Sequence, residues 1–289
     1  MAANFPDIDV LLGLADRDAY VFQHRGLTHS LAGLIVFSLL MAWFFRLVSP
    51  VKRFGVLFGL SLLGQASNTV MDLVNAWGTM VLWPFSRRWF ALSWVGIADP
   101  FVWAILAGGL ALGALRGESR AWINRAALAL VAVYCFACGA AKEMGIAHFR
   151  EALARVRTDP QRIESYPQLF APLRWNVIGF LPDRYYQGYV HSLGGLEGRL
   201  CVFLGSPVPP AVASGFAESF ERWAAAPLVR PFAGGKAGEV AICDLRFLGR
   251  REGMPFVVKL YLNTAGKPDR QWLGWQIAPP AADQEFELR

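Results

Sequence analysis

The stretch Gln23-His24-Arg25-Gly26-Leu27-Thr28-His29-Ser30 contains two of the four histidines of the chain, and a long apolar segment follows it directly. Two imidazoles at this spacing, beside an arginine and a glycine, are unusual immediately before a hydrophobic helix. An acidic group lies upstream, and a second apolar segment with polar residues lies downstream. We therefore expect these three pieces of the chain to meet at one membrane face and to hold a metal ion. The polar residues concerned are Asp7, Asp9, Asp16 and Asp18 upstream and Asn68 and Asp72 downstream.

The composition divides the chain into two parts. Hydrophobic residues make up 55% of the 289 residues and charged residues only 17%, whereas a soluble domain contains about 25% charged residues. The deficit lies in residues 31–141, and charged residues return from Lys142 onward. This contrast indicates a membrane-embedded part followed by a water-soluble part. The net charge of +6 is scattered and forms no basic run, so we expect no nucleic-acid partner.

Four apolar segments have close to the length of about 20 residues that a helix needs to cross a bilayer. Beyond them, aromatic and β-branched residues alternate with polar ones, a pattern typical of antiparallel strands. The predicted fold class is a mostly α-helical integral membrane bundle of about four spans, followed by a smaller β-rich (α+β) soluble domain. We place the membrane domain at residues 1–145 and the soluble domain at residues 146–289. The four predicted spans are residues 31–48, 54–77, 94–115 and 122–141.

The order of the spans brings the candidate residues to one side of the membrane. His24 and His29 precede the first span and Asp72 lies near the end of the second, so all three arrive at the same face. Lysine and arginine residues are slightly more numerous at the opposite face, which the positive-inside rule assigns to the cytoplasm. The sequence therefore predicts a multi-pass membrane protein whose active face is periplasmic or external.

The second span carries a polar seam, which consists of Gln65, Asn68, Asp72 and Asn75. Intervals of three and four residues place these side chains on one face of a helix. Polar residues of this kind often form hydrogen bonds between membrane helices, whereas an ionisable residue within a span is by default a functional candidate. Both interpretations stay open for the seam, and Asp72 is its strongest functional candidate.

The candidate residues are of the types that bind a catalytic metal. Neutral imidazole is the commonest metal ligand and carboxylates supply hard oxygen atoms, while a catalytic site needs about three protein ligands and an open position. His24, His29 and Asp72 meet this requirement, with Asp7 or Asp9 as a fourth ligand, a bridge to a second metal or a general base. Zinc is the expected divalent metal, with manganese as the alternative.

The expected function is that of a membrane-bound metal-dependent hydrolase, in which metal-activated water attacks an ester or phosphoester of a lipid-like or envelope substrate. Asp9 is a candidate base, and Arg25 has the planar fork that binds an anionic group such as phosphate. Each piece also has a simpler interpretation: the histidines as surface or capping residues, and the aspartates as a solvated turn. The alternative for the whole protein is a non-catalytic membrane protein with an envelope or interaction role.

An ordered series of motifs resembles the YdjM-type family of inner-membrane proteins, which are regarded as metal-dependent hydrolases. The resemblance covers roughly residues 5–145, and it implies that Asp7, Asp9, His24, His29 and Asp72 are the ligand positions. It also suggests a distant similarity to zinc-dependent phospholipase C. The motifs are Phe5-Pro6-Asp7-Ile8-Asp9, His24-Arg25-Gly26-Leu27-Thr28-His29-Ser30, Ser67-Asn68-Thr69-Val70-Met71-Asp72, Gly78-Thr79 and Leu82-Trp83-Pro84-Phe85-Ser86.

Two departures from the family pattern affect the ligand set. The family usually has Ser-His-x-x-x-Asp where this chain has Asn68 ahead of Asp72, and an amide is a weaker, neutral oxygen ligand. The family also usually carries a further apolar helix with a Thr-His element before the first acidic motif. We therefore expect either a truncated or misassigned start, or a member that has lost one ligand and one span.

Overall fold

The computed structural model describes residues 2–11, 24–117, 120–205, 220, 223–231, 239–249, 254–262, 268–276 and 282–287. The chain forms two compact units, Met1–Ser93 and Trp94–Arg289. Apolar helices precede a β-rich region, which confirms the predicted fold class. The predicted domain boundary after residue 145 stays a prediction, and it falls within a single helix.

The first unit is built from two apolar helices and the short segments at one of their ends. Helix α1 spans Leu31–Val48 and α2 spans Phe54–Val74, and three 3-10 helices precede them at Ala2–Asn4, Pro6–Leu11 and Leu27–His29. Ser30 is the N-cap of α1, because its hydroxyl accepts a hydrogen bond from Gly33 N at 3.0 Å. This bond satisfies one of the free N–H groups at the helix start, as expected for a serine before an apolar run.

Three helices of the described residues are long and apolar enough to cross a membrane: Leu31–Val48, Phe54–Val74 and Arg120–Arg155. Their outward faces expose large apolar side chains such as Trp43, Leu63 and Phe136. Water would disfavour this exposure, whereas the lipid hydrocarbon accepts it. The first two predicted spans are therefore confirmed as apolar helices, with α2 ending three residues earlier than predicted.

The third predicted span differs from its prediction. Helix α3 spans Pro100–Leu115 and has 16 residues, and it begins at Pro100 instead of residue 94. The Asp-Pro pair explains the start: the Asp99 carboxylate accepts hydrogen bonds from Phe101 N and Val102 N, and proline is favoured at the first helical position. In the sequence, the apolar residues before this pair conceal the start of the helix.

The fourth predicted span belongs to a longer helix. Helix α4 runs unbroken over Arg120–Arg155, 36 residues in all, so it is about 54 Å long and exceeds the hydrocarbon core of about 30 Å. The charged residues after Ala141 do not interrupt it, because lysine and glutamate are good helix formers. Helices α3 and α4 approach closely at Gly109, where a Cβ atom would overlap Ala127.

The remainder of the second unit contains two antiparallel sheets. A five-stranded sheet has the order β1-β2-β3-β4-β9, and a four-stranded sheet has the order β5-β6-β7-β8. The C-terminal half of α4 packs on the first sheet, with Phe149, Leu153, Trp175, Val177 and Val190 fully buried between them. Each such side chain stabilises the fold by about 1.5–3 kcal/mol. The strands are β1 Arg162–Gln168, β2 Ala171–Phe180, β3 Arg184–His191, β4 Gly195–Leu204, β5 Pro227–Pro231, β6 Glu239–Asp244, β7 Met254–Leu262, β8 Pro268–Gln276 and β9 Gln284–Glu287.

Candidate metal centre

The segment that contains both histidines is held at the end of α2 by backbone pairing. Met80 N donates to the carbonyl of Arg25 at 3.0 Å, and Leu31 N donates to the carbonyl of Val81 at 2.9 Å. The 3-10 helix Leu27–His29 therefore lies beside the loop that follows α2. This pairing places His29 next to the last turn of α2, which carries Asp72.

Three of the predicted ligands converge on one point within the first unit. Nε2 of His29 lies 3.1 Å from Oδ2 of Asp72 and 3.4 Å from Oδ1 of Asp7, and one ligand atom from each residue lies within 4.8 Å of the others. We call this group the Asp7–His29–Asp72 cluster. The His29 side chain is fully buried, whereas the Asp7 side chain is 47% exposed. The cluster is therefore open to solvent on the Asp7 side.

The cluster fits a small divalent cation in both distance and chemistry. Protein ligands bind zinc at about 2.0–2.2 Å, and tetrahedral angles at that radius separate two ligand atoms by about 3.3 Å, close to the 3.1 and 3.4 Å found here. Within the described part of the chain, neither His29 Nε2 nor Asp72 Oδ2 has a hydrogen bond of acceptable geometry, although both atoms are buried. An unsatisfied buried polar group costs about 1–3 kcal/mol, and a bound cation would remove this cost for both atoms.

Asp9 and His24 lie beside the cluster and bind each other. Oδ1 of Asp9 is 2.7 Å from Nδ1 of His24, and Oδ2 accepts hydrogen bonds from Arg25 N at 3.0 Å and from Thr28 Oγ1 at 2.8 Å. The rings of His24 and His29 are neighbours, with centroids 5.7 Å apart. The structure therefore brings both residues to the site but places them outside the three-residue cluster. Their role as metal ligands stays a prediction.

Thr28 connects Asp9 to His29 and fixes the hydrogen on the imidazole. Its hydroxyl donates to Oδ2 of Asp9 and lies 2.9 Å from Nδ1 of His29. Since the only hydrogen of the hydroxyl is used on Asp9, its oxygen accepts from His29 Nδ1. That arrangement leaves Nε2 as the nitrogen that faces the two carboxylates, as metal-binding histidines require. Thr28 was absent from the predicted site residues, although its hydroxyl, one residue before His29 in the motif, was an available signal.

Arg25 is largely buried and binds the carboxylate of Asp72. Its Nη2 atom forms an ion pair with Oδ1 of Asp72 at 2.9 Å, and Nη1 donates to Oδ1 of Asn75 at 3.1 Å. The residue has a left-handed backbone, with φ of 64°, next to Gly26. The guanidinium thus orients the Asp72 carboxylate so that its second oxygen faces His29. The predicted role in holding a substrate anion stays a prediction.

The polar seam of α2 divides into structural and site residues. Gln65 Nε2 donates to Ser38 Oγ at 2.9 Å, so this residue joins α1 to α2 as the hydrogen-bonding interpretation predicted. Asn68 Nδ2 donates to Oδ2 of Asp7 at 2.8 Å. At the position where the family usually has histidine, the amide therefore positions the exposed aspartate of the cluster.

The close approach of opposite charges shifts the ionisation of the cluster. The imidazole of His29, 3.4 Å from the carboxylate of Asp7, lowers the pKa of Asp7. Burial raises the pKa of Asp9, but His24, the Arg25 backbone N–H and the Thr28 hydroxyl together lower it by more, so the net pKa is lowered. Burial also lowers the pKa of His29, yet the carboxylates of Asp7 and Asp72 raise it to about 9 overall. Without a metal, a proton on His29 therefore provides the positive charge that the carboxylates attract, and a cation would have to displace it.

Comparisons with known proteins match the first part of the chain. The uncharacterized protein YfhP of Bacillus subtilis (strain 168) is 35% identical over 97 residues, which is 34% of this chain and 30% of that protein. This chain thus spans less than a third of that relative's length. No solved structure matches the chain. The chain belongs to the YdjM inner membrane protein family, whose sequence model matches residues 1–145 and so includes every residue of the candidate site.

Proposed function

We propose that this protein is a membrane-bound metal-dependent hydrolase whose divalent cation, zinc or alternatively manganese, binds at the Asp7–His29–Asp72 cluster. The observation that carries the proposal is the pair of buried atoms His29 Nε2 and Asp72 Oδ2, which face each other at 3.1 Å without a hydrogen bond. A purely structural ion pair would be expected to form that bond. The nearby Asp7 supplies the third ligand atom, and its exposed side chain opens the cluster to solvent.

The residues around the cluster have separable roles in such a reaction. When bound, the cation would act as a Lewis acid and lower the pKa of a water molecule. Asp9 holds His24 through Nδ1, which is the arrangement that orients an imidazole for proton transfer. His24 would accept the proton of the attacking water at Nε2 and return it to the leaving group. Thr28 would keep the other imidazole, His29, in its binding tautomer.

The location of the site favours a substrate at the membrane surface. His29 lies directly before α1 and Asp72 lies in the last turn of α2, so the cluster is at the ends of two apolar helices of spanning length. An ester or phosphoester of a lipid-like or envelope molecule would present its polar group at this depth. The distribution of lysine and arginine supports a periplasmic position for this end of the helices.

Metal analysis of the purified full chain tests the proposal. We expect about one zinc or manganese ion per chain in the wild type, and its loss in both His29→Gln and Asp72→Asn. Ser67→Ala is the matched control, because this exposed residue of α2 bonds only the carbonyl of Gly64 among the contacts described. Wild-type protein that binds no divalent metal at micromolar concentrations would refute the proposal.

One observation favours the alternative of a non-catalytic membrane protein with an envelope or interaction role. Asn68 stands where the family usually has a histidine, and its amide is engaged with Asp7. Among the described residues, the groups that can hold a metal are confined to the Asp7–His29–Asp72 cluster. Metal-loaded protein that hydrolyses neither carboxylic esters nor phosphoesters would support this alternative.

A further inference from the structure

Helix α4 defines which end of the five-stranded sheet faces the bilayer. From Arg120 to Ala141 the helix rises about 32 Å, close to the thickness of the hydrocarbon core, and it exposes apolar side chains such as Val133 and Phe136. The charged residues Glu143, Arg150 and Glu151 are exposed beyond that point. The bilayer boundary therefore lies near Ala141, and the remainder of α4 packs against the sheet.

The register of α4 against β2 fixes the orientation of the sheet. Gly145 packs against the Trp175 ring, and Phe149 packs against Gly179. The direction from Phe149 to Gly145 therefore corresponds to the direction from Gly179 to Trp175. Because α4 approaches the bilayer in this direction, β2 also approaches it, with Ala171 nearest to the membrane.

Hydrogen bonds place the same end of the sheet at the level of Ala141. Ser192 Oγ donates to the carbonyl of Ala141 at 2.8 Å, and its backbone N–H donates to the carbonyl of Leu173 at 2.9 Å. Trp175 Nε1 donates to the Ser192 hydroxyl at 2.8 Å. The turn between β3 and β4 is thus bonded to the helix at the bilayer boundary. The turn between β1 and β2 lies at the same end, since the strands alternate in direction.

These two turns expose large apolar side chains, and we call them the apolar turns. Leu169 and Phe170 in the β1–β2 turn are 50% and 60% exposed, and Leu193 in the β3–β4 turn is 68% exposed. Phe170 lies three residues before Leu173, so it reaches up to about 10 Å farther toward the bilayer. Phe170 also has a positive φ of 57°, where glycine or asparagine is usual. An aromatic ring occupies this position despite the backbone strain.

The β2–β3 turn at the opposite end of the sheet carries charged side chains. The turn between β2 and β3 contains Asp183, whose carboxylate forms an ion pair with Arg184. Leu204 is exposed at this far end, where Gly205 N donates to the carbonyl of Asp183. The contrast between the two ends matches a domain with one surface in the lipid interface and the other in water.

We infer that the apolar turns, residues 168–171 and 192–194, insert into the interfacial region of the phospholipid bilayer where α4 emerges. Leucine and phenylalanine side chains bind this region by removing apolar area from water. The partner is the bilayer itself, because Ser192 of the β3–β4 turn is hydrogen-bonded to α4 at Ala141, where the helix leaves the bilayer. The five-stranded sheet then contacts the membrane through the end that carries the apolar turns.

Site-specific labels in proteoliposomes test this inference. The variants Phe170→Cys, Leu193→Cys and Leu204→Cys would be prepared in the full chain with Cys201→Ser, since the other three cysteines are buried, and labelled with the fluorophore NBD. All three labelled positions are exposed, and Leu204 is the matched control.

Labels at 170 and 193 are expected to be quenched at least threefold more by doxyl-labelled phospholipid than the label at 204, and to be protected from aqueous iodide. Equal iodide quenching at all three positions would overturn the inference. Protection that vanishes when protein is diluted tenfold in lipid would identify a second copy of the chain as the occupant, and it would also overturn the inference.

Discussion

Replacing Thr28 by valine tests how the site is organised, because valine keeps the shape of threonine and removes the hydroxyl. The hydroxyl makes two buried contacts, one to the Asp9 carboxylate at 2.8 Å and one to His29 Nδ1 at 2.9 Å. A hydrogen bond to a charged group contributes about 1.5–3 kcal/mol and a neutral one about 0.5–1.5 kcal/mol. We expect the free energy of unfolding to fall by about 2–4 kcal/mol.

The same substitution should weaken metal binding without removing a ligand. Groups that orient a ligating histidine typically contribute about 10–100-fold in metal affinity. A titration of purified protein with zinc against a chromophoric chelator measures this change directly, and Thr28→Ser should restore most of the affinity because it returns the hydroxyl. If Thr28→Val bound zinc as tightly as the wild type, the assignment of Nδ1 hydrogen bonding to Thr28 would be wrong.

Three further outcomes are expected. The pKa of His29 is raised from 6.5 to about 9. Metal-free protein should therefore lose stability between about pH 6.5 and 9, as His29 loses its proton, and zinc affinity should rise over the same interval. A thermal midpoint and a zinc affinity that do not change with pH would contradict this. Gly109→Ala should destabilise the protein by about 1–3 kcal/mol, because the added methyl group would overlap Ala127. Gly108→Ala has open space and should leave the stability unchanged; equal thermal midpoints of the two variants would contradict this. An alkaline phosphatase fused just before the first span should be active if that face is periplasmic, and inactivity there would reverse the proposed orientation.

The sequence predicted the fold well wherever one physical signal dominated. Apolar length located α1 and α2, and the alternation of aromatic and β-branched residues with polar ones indicated the β-rich region. The start of α3 was misplaced because residues 94–98 are apolar but precede the Asp99 cap. The predicted fourth span ends before Lys142, where charged residues return, so it is shorter than α4. Lysine and glutamate are good helix formers, and the helix therefore continues beyond the bilayer.

The sequence predicted which side chains lie close together, but not which of them contact each other. Asp7 and Asp9 share one 3-10 helix, Pro6–Leu11, and only its backbone determines that one faces His29 Nε2 while the other faces His24. Sequence spacing carries no information on that choice. The pairing of Arg25 with Asp72 also depends on a left-handed backbone, which the motif does not reveal.

The unbroken helix α4 also bears on how the protein is made. Ala141, Gly145 and Phe149 contact the five-stranded sheet from the same helix that is long and apolar enough to cross the membrane. During synthesis, the sheet therefore cannot bury its apolar face against α4 until the translocation machinery releases this helix. Insertion and folding of the second unit become successive steps of one process, and a fragment that begins at residue 146 would be synthesised without the helical turn that covers Trp175.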